Sequence, residues 1–464
     1  MTQRSTHLRS ILLTSSMLAL STLPVLAQEP VAAKHDAEED IWTQDQLLGT
    51  MGGVRPWLNN YGVTMSLSEV NEVLGNTSGG IKRGAEYDGL TTLDMQWDTS
   101  KAWKGGLFNV SGMNIHGRNL STHHLQTLQT ASGIEADNGF RLWEAWYQQT
   151  IIPDKLDLRI GQQSFDQEYL VSQNALLFVN TAFGWPMTPS ADMLGGGTAY
   201  PLSALGARAK WQPADHWTLL GGIYNDNPSG LGPTEAADPQ RLNEHGTNFR
   251  LQDKPLLIGE AQYGVGTSAE DVKKSGGKAG LPGTYKLGGW YDFGKFADKR
   301  YGTDGQSLAV GNGIARLHDG DYSIYAVADQ FIWRTAADKD NGVSVFFRGM
   351  GAPDDRSLVT YSVNTGLTYH GPFGRDSDTA GLGLGYAKVS DDTRDLQADQ
   401  GSAIRQGGET FLEATYQYAV APWWSLQPDL QYVFNPGAGV AEPYNANKRV
   451  GDETVIGLRT TLAF

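Results

Sequence analysis

The feature of this sequence that most restricts its fold is a repeated alternation of apolar and polar residues in segments of about ten residues. In the last segment, Ile456 and Leu458 fall on one side, whereas Glu453 and Arg459 fall on the other. Successive side chains of a β-strand point to opposite faces, so the pattern indicates strands with one apolar and one polar face. Strands of this length that are apolar outside and polar inside are typical of a transmembrane barrel.

About sixteen segments carry this alternation. They begin near Tyr61, Gly89, Gly106, Arg141, Lys155, Ala204, His216, Pro255, Gly283, Asp321, Gly342, Thr360, Thr379, Glu409, Trp423 and Asp452. Connections after odd-numbered segments are mostly long, such as 75–88 and 295–320, and those after even-numbered segments are mostly short, such as 421–422. Outer-membrane barrels show the same asymmetry, with long extracellular loops and short periplasmic turns. The sequence therefore predicts an all-β fold, a transmembrane antiparallel β-barrel of about 16 strands, with both termini in the periplasm.

One connection, residues 165–201, is long enough to need an explanation. A loop of this length in a compact domain is usually functional or disordered. Its stretch from Leu176 to Pro186 is too apolar to be left in water. We therefore predict that this loop folds inward and narrows the lumen. The connection 265–281 is long although it falls on the periplasmic side, and the pattern does not explain it.

The amino-terminal residues indicate export. Arg4 and Arg9 precede an apolar run that is interrupted by Pro24 and ends at Ala27, which is the pattern of a secretory signal peptide. Beyond Ala27 no apolar run reaches the roughly 18 residues that a membrane-spanning helix needs. The chain contains no cysteine, so the exported protein must be stable without disulfides.

Three regions follow from these observations. We predict a signal peptide over residues 1–27, an N-terminal periplasmic segment with a possible short helix over 28–56, and the outer-membrane barrel over 57–464. The formal net charge of −15 argues against nucleic acid as a partner, because nucleic acid binding depends on basic residues that neutralise phosphates.

The polar face of the strands supplies candidate residues for solute passage. A sugar needs hydrogen-bond donors and acceptors for its hydroxyl groups and a flat apolar surface for its C–H face. Arginine beside a carboxylate supplies the first, and an aromatic ring supplies the second. Interleaved charges favour neutral polar solutes, whereas a lumen of one sign would select ions. The candidate lumen residues are Arg118, Glu144, Trp146, Asp157, Arg159, Arg208, Glu260, Trp290, Arg348, Glu413 and Arg459.

Each of these residues also has a purely structural interpretation, because inward charges in a barrel often pair across strands and hold water. Signals for other chemistry are weak. His123 and His124 are adjacent, and neighbours in sequence seldom chelate one metal without further ligands. The acidic run from Asp391 to Asp399 lacks the ordered spacing of a calcium loop and is better explained as a solvated charge run. We predict no catalytic residue, no metal site and no cofactor.

Several stretches of the chain resemble the carbohydrate-selective outer-membrane porins of the OprB family. The stretches are Leu47–Leu58, Glu144–Gln149, Leu158–Gln162, Phe178–Pro186 and Tyr200–Arg208. The resemblance spans nearly all of the chain after residue 27 and is strongest before Asn227. It implies a sixteen-stranded barrel that passes neutral sugars, with lumen arginines, acids and aromatics at a constriction. The terminal Phe464 is similar to the aromatic end that such barrels present to the barrel-assembly machinery.

The pattern and the resemblance together predict an outer-membrane porin, not an enzyme, through which mono- and small oligosaccharides diffuse passively. The expected partners are the sugar, outer-membrane lipid and the assembly machinery, with the barrel as a monomer or a homotrimer. A general or ion-selective porin shares every fold argument. A barrel enzyme such as a lipid hydrolase would need a Ser or His facing the lipid near one rim, and a surface adhesin would place its function in the long loops.

Overall fold

A computed structural model describes residues 40–230, 238–266, 281–335 and 341–464. Sixteen antiparallel strands close into one barrel, in which each strand pairs with its neighbours in sequence and the last pairs with the first. These strands are β1 (Val63–Gly80), β2 (Gly84–Asp98), β3 (Gly106–Gly117), β4 (Gly139–Ile152), β5 (Leu156–Gln163), β6 (Ala204–Ala214), β7 (Trp217–Asn225), β8 (Pro255–Val265), β9 (Gly283–Gly302), β10 (Ala315–Arg334), β11 (Gly342–Gly351), β12 (Val359–His370), β13 (Thr379–Val389), β14 (Gly408–Ala421), β15 (Trp424–Phe434) and β18 (Gly451–Ala463). The predicted sixteen-stranded antiparallel barrel is confirmed.

The remaining elements are short and lie between the strands or before them. Strands β16 (Ala441–Glu442) and β17 (Asn445–Arg449) form a separate hairpin. The α-helical segments are Val54–Asn59, Leu120–His124, Thr181–Gly184, Met187–Asp192, Pro239–Leu242, Asp391–Asp399 and Pro436–Gly439. Five 3₁₀ turns are Thr99–Lys101, Phe165–Gln167, Ala175–Leu177, Leu194–Gly196 and Pro372–Gly374. Within the described ranges, no helix is both long and apolar enough to cross a membrane.

The alternation of the sequence sets the two faces of the barrel wall. On β5, Ile160 is 63% exposed on the outer face, whereas the neighbouring Arg159 is buried on the lumen face. Leu458 and Arg459 on β18 divide in the same way. Apolar side chains can cover the outer wall because lipid surrounds it, and the lumen face carries the polar groups.

The two ends of the barrel differ as predicted, although some strands are longer than the alternation indicates. We call the end with the long connections the loop end and the other the turn end. Strands β1 and β2 are joined by residues 81–83, and β9 and β10 by 303–314, so the connections predicted at 75–88 and 295–320 are partly strand. A strand that extends beyond the bilayer needs no apolar face, which is why the alternation stops early. Most of the predicted connection 265–281 lies outside the described residues.

Residues 41–59 close the turn end. Residues 42–48 form turns, and the short helix of this segment lies at Val54–Asn59. The Leu47 N–H donates to the Ala463 carbonyl at 2.8 Å, and the Arg55 guanidinium donates to the Phe464 carbonyl. The segment is therefore tied to the last two residues of the chain.

At the loop end, the acidic run is a helix, Asp391–Asp399, rather than an open chain. Arg300 at the end of β9 binds it through Asp395 and Asp399, with Nε at 3.0 Å from the Asp399 carboxylate. Part of the acidic charge is thus neutralised by a strand of the barrel, which explains how the run can pack on the rim.

Two connections fold into the lumen. The inner loop (residues 164–203) buries Phe165, Tyr169 and Phe183 against the strand walls. The second loop (residues 118–138) also turns inward and buries Leu120 and Leu125, which the sequence did not indicate. The loops bond to each other, since the Thr181 N–H donates to the Thr130 carbonyl at 3.1 Å and the Gly133 N–H to the Val179 carbonyl at 2.9 Å.

The outward position of Leu458 generates a stability prediction. Leu458→Arg places a charge on the lipid face near the middle of β18, and we expect it to destabilise the barrel by about 2–4 kcal/mol. Tyr444→Arg is the control, because Tyr444 is fully exposed in the hairpin beyond the barrel. Urea unfolding in lipid vesicles measures both. Equal losses of stability in the two variants would contradict the lipid-facing assignment of Leu458.

Candidate functional site

Strands β4, β5 and β6 place Gln148, Arg159 and Arg208 side by side on the lumen face, because these residues are direct cross-strand partners. Two adjacent arginines repel each other unless carboxylates lie between them. Glu168 of the inner loop accepts two bonds from Arg208, both at 2.7 Å, and lies 3.5 Å from Arg159. Asp157 binds Arg208 from the other side. We call these five residues the arginine cluster.

Gln148 completes the cluster by bridging the two guanidinium groups. Its side-chain oxygen accepts from Arg159 Nη2 at 2.9 Å and from Arg208 Nη2 at 3.1 Å. The formal charges of the cluster therefore balance, with two arginines against two carboxylates. A balanced site presents hydrogen-bonding groups without attracting one sign of ion.

Trp146 lies directly behind the cluster. The guanidinium carbon of Arg159 stands 3.8 Å from the centre of the Trp146 ring, which is a cation–π contact. The indole N–H donates to Glu144 at 3.1 Å, and Glu144 also accepts from the Ser164 N–H at 2.9 Å. The ring is only 5% exposed, so its faces are covered by protein. In this structure Trp146 supports Arg159 rather than offering an open surface for a sugar.

The carboxylates of the cluster are more accessible than its arginines. The side chains of Asp157 and Glu168 are 21% and 13% exposed, whereas those of Arg159 and Arg208 are almost fully covered. Burial raises the pKa of Glu168, but the charges of Arg159 and Arg208 outweigh this, and the net pKa lies below its ordinary value. Glu168 is therefore an ionised acceptor held on the inner loop by two cations.

Arg348 binds the backbone of the inner loop and does not belong to the arginine cluster. Its side chain is completely buried on β11, and it donates to the inner-loop carbonyls of Leu170 at 2.9 Å, Ala182 at 2.6 Å, Phe183 at 2.9 Å and Gly184 at 3.3 Å. A guanidinium carries five N–H donors, and here most of them are used by backbone. Arg348 consequently holds the inner loop and has little left to offer a solute.

Two predicted acids anchor the same loop. Glu413 on β14 accepts from the N–H groups of Val179 and Asn180 at 2.6 and 3.0 Å. Glu260 on β8 accepts from the Leu170 N–H at 2.9 Å. Buried carboxylates need such donors, because an unpaired buried charge is very costly. The structure thus brings Glu260, Arg348 and Glu413 to the inner loop and not to the arginine cluster.

Several further residues that bind the inner loop were not among the candidates predicted from the sequence. Asp329 on β10 accepts from the Ser172 hydroxyl at 2.7 Å, and Lys286 on β9 donates to the Val171 carbonyl at 2.7 Å. All the anchors lie on the polar face of alternating strands, so the pattern marks where they point. It does not mark which loop atom each one meets.

Glu409 on β14 anchors the second loop in the same manner. It accepts from the N–H groups of Leu128 and Gln129 at 2.7 and 2.8 Å. Arg459 on β18 donates to the Ser132 hydroxyl at 3.2 Å and to Glu72 at 2.8 Å. Arg459 therefore joins the second loop to the wall instead of joining the arginine cluster.

Glycines on β13 make room for the aromatic part of the inner loop. A side chain at Gly381 would stand 2.9 Å from the Phe178 ring, and one at Gly383 would stand 2.5 Å from the Phe183 ring. Both distances are shorter than a normal van der Waals contact between two carbon atoms. The alternating Gly-Leu-Gly-Leu-Gly of this strand is the sequence signal for a lumen face without side chains, and it was not used in the prediction.

Two predicted residues lie away from any polar cluster of the lumen. Trp290 is buried on β9 among apolar side chains, including Phe165 and Tyr169 of the inner loop. Arg118 follows the end of β3 at Gly117, so it belongs to the second loop and not to the strand face. Its side chain is more than half exposed and lies 3.6 Å from Glu86.

Among the residues for which positions are described, no three His, Asp or Glu side chains are arranged to hold a metal ion. His124 Nε2 donates to the Glu86 carboxylate at 2.7 Å, and His123 Nδ1 donates to the Asn119 carbonyl at 2.8 Å. Both histidines thus have protein partners within or beside the second loop.

Comparison with known proteins decides which class of barrel this is. The family model described as carbohydrate-selective porin, OprB family, matches residues 82–464. The chain belongs to this family. It is therefore an outer-membrane porin for carbohydrates and not an enzyme.

Individual relatives agree with the family match. The chain is 26% identical to Porin B of Pseudomonas aeruginosa over 442 residues, covering 89% of this chain and 92% of that one. It is 25% identical to the putative porin QuiX of Acinetobacter baylyi, covering 92% and 95%. The high-pH structure of Pseudomonas putida OprB superposes with a TM-score of 0.78 at 22% identity, covering 92% of this chain and all of that one, which supports the fold.

The anchoring role of Arg348 can be tested by conductance. Arg348→Met leaves four inner-loop carbonyls without their donor, each at a cost of about 1–3 kcal/mol. We expect the loop to loosen and the single-channel conductance to rise, with the barrel still folded. Arg300→Met is the control, because its partners Asp395 and Asp399 lie at the loop end. Unchanged conductance in folded Arg348→Met would contradict the anchoring role.

Proposed function

We propose that neutral mono- and small oligosaccharides pass the arginine cluster, and that its carboxylates and Gln148 exchange hydrogen bonds with their hydroxyl groups. The observation that carries the proposal is the balanced set of charges that β5, β6 and the inner loop bring together beside Gln148 of β4. Asp157 and Glu168 are the charged members with accessible side chains, so they are the expected contacts.

The arginines act in this proposal by holding the acceptors in place. Arg208 fixes Glu168 with two parallel bonds, and such bidentate pairs restrict geometry strongly. Arg159 rests on Trp146, which limits its movement. Because the acceptors are already fixed in position, little reorganisation of the protein is needed when a sugar binds. Water competes with the sugar for the same acceptors, which keeps each contact weak. Weak contacts are required, because a site that binds tightly cannot release its solute.

Orientation and assembly complete the proposal. The loop end faces the outside of the cell and the turn end faces the periplasm, which agrees with the long connections at one end and both described termini at the other. Phe464 directly follows the last strand, and we propose that it contacts the barrel-assembly machinery. Each barrel encloses its own cluster, so passage needs no second copy, and a monomer or a homotrimer fits this function equally well.

Selectivity can be measured by liposome swelling with the purified barrel. We expect glucose and maltose to enter faster than an amino acid of similar size and a charged sugar acid. Arg159→Ala removes one of the two guanidinium partners of Gln148 and Glu168, so it should reduce the preference for glucose several-fold, and Trp146→Ala should do so to a smaller extent.

Trp97→Ala is the matched control, because Trp97 lies on the outer face of β2 and stacks on Phe108 at 5.4 Å. Its preference for glucose should equal that of the unmodified barrel. Entry rates that follow solute size alone, and that stay the same in all three variants, would show a general porin and overturn the proposal.

The depressed pKa of Glu168 predicts how flux depends on pH. Because the folded pKa lies below the unfolded value of about 4.3, the pairing with Arg159 and Arg208 is complete above that pH and is lost only as pH falls through the lower folded value. We expect glucose flux to be constant from about pH 5 to about pH 8. If glucose flux changed with pH inside this range, and if Glu168→Gln abolished that change, the lowered pKa assigned to Glu168 would be wrong.

A further inference from the structure

A cleft at the loop end is separate from the arginine cluster. It has a volume of about 480 Å³ and lies between the second loop and the connection that joins β7 to β8. Small-molecule sites usually occupy about 300–1,000 Å³, so the cleft is large enough for a small ligand. Side chains that line it include Arg118, Asp137, Arg141, Arg241 and Glu244.

Hydrogen bonds hold the chain segments around the cleft in fixed positions. Arg141 at the start of β4 donates to the carbonyls of Asn243 at 2.8 Å and Gln240 at 3.1 Å. The Asp137 N–H donates to the Gln240 side chain at 2.7 Å, and the Leu142 N–H donates to the His245 carbonyl at 2.9 Å. Four direct bonds thus join the start of β4 and the end of the second loop to the β7–β8 connection, which keeps the cleft open at a defined width.

One buried donor in the cleft is unused. Arg141 is 3% exposed, and its Nε has no hydrogen-bond partner among the described residues. Buried polar groups are nearly always paired, so this N–H is a donor for which a water molecule or a solute hydroxyl at the inner wall of the cleft is a suitable partner.

The charges of the lining favour a neutral solute over an ion. Three arginines face two carboxylates, and Arg241 is already paired with Asp137 at 3.3 Å and with the nearby Asp238 at 3.6 Å. Arg118, which lies 3.6 Å from Glu86 and is more than half exposed, can act as a donor at the mouth of the cleft, and the exposed Glu244 can act as an acceptor there. A molecule with several hydroxyl groups can accept from Arg141 and Arg118 and donate to Glu244 at once.

We infer that this cleft is a binding subsite where a sugar is captured at the loop end before it reaches the arginine cluster. The inference rests on the proposed function, since it assigns the same solute to both sites. Arg141 lies seven residues before Gln148 on β4, which separates the sites by roughly 23 Å along the strand. A small sugar cannot contact both at once. The subsite acts by raising the local concentration of sugar at the mouth of the barrel.

The test is the concentration dependence of labelled glucose influx into vesicles that contain the full-length barrel. The double variant Arg118→Gln/Glu244→Gln removes the two exposed contacts and leaves the bonds of Arg141 in place. We expect its half-saturating glucose concentration to rise about fivefold. Arg83→Gln/Glu442→Gln is the matched control, because both residues lie at the loop end outside the cleft lining, and its half-saturating concentration should not change.

Two single variants guard against a shifted loop. Arg118→Gln and Glu244→Gln each remove one exposed contact and leave the bonds of Arg141 to Asn243 and Gln240 in place, so each should raise the half-saturating concentration by less than the double variant does. Equal half-saturating concentrations in the double variant and the unmodified barrel would overturn the subsite. If the unmodified barrel showed no preference for glucose over a size-matched amino acid, the proposed function itself would fail, and this outcome is distinct from loss of the subsite alone.

Discussion

The structure depends on satisfying the backbone of two loops that are enclosed by a barrel. A strand finds its hydrogen bonds in the neighbouring strands, but a loop in the lumen has no such ladder, and unpaired buried N–H and C=O groups are costly. The wall supplies the missing partners as buried charged side chains: Arg348 meets carbonyls, and Glu413 and Glu409 meet N–H groups. Much of the charge inside this barrel therefore supports the loops and does not face solute.

Because many of the buried charges bind the loops, fewer charged groups remain that could set the selectivity of the pore. Once the anchors are set apart, the charged groups around accessible carboxylates lie on β5, β6 and the inner loop, beside Gln148 of β4. The apolar side chains of the inner loop, such as Phe178 and Phe183, are buried against β11, β14 and β15.

The sequence predicts the barrel well because lipid imposes a rule on every strand. Ile160 and Arg159 could be assigned to opposite faces from period alone, and the structure places them so. The cluster was partly predictable for the same reason, since Asp157, Arg159 and Arg208 are lumen-facing neighbours. Glu168 was not, because a loop without a period gives no facing information. Nor could the anchors be told from solute contacts, since Arg348 meets Ala182 across 166 residues of sequence and no local pattern encodes such a meeting.

The bonds that tie residues 41–59 to the end of the chain bear on how the barrel matures. Leu47 and Arg55 bind the carbonyls of Ala463 and Phe464, which are made last and become fixed only when β18 has paired with β1. The amino-terminal segment can therefore dock only on a finished cylinder. A barrel that stalls before closure, or closes in the wrong register, leaves this segment undocked and open to proteolysis.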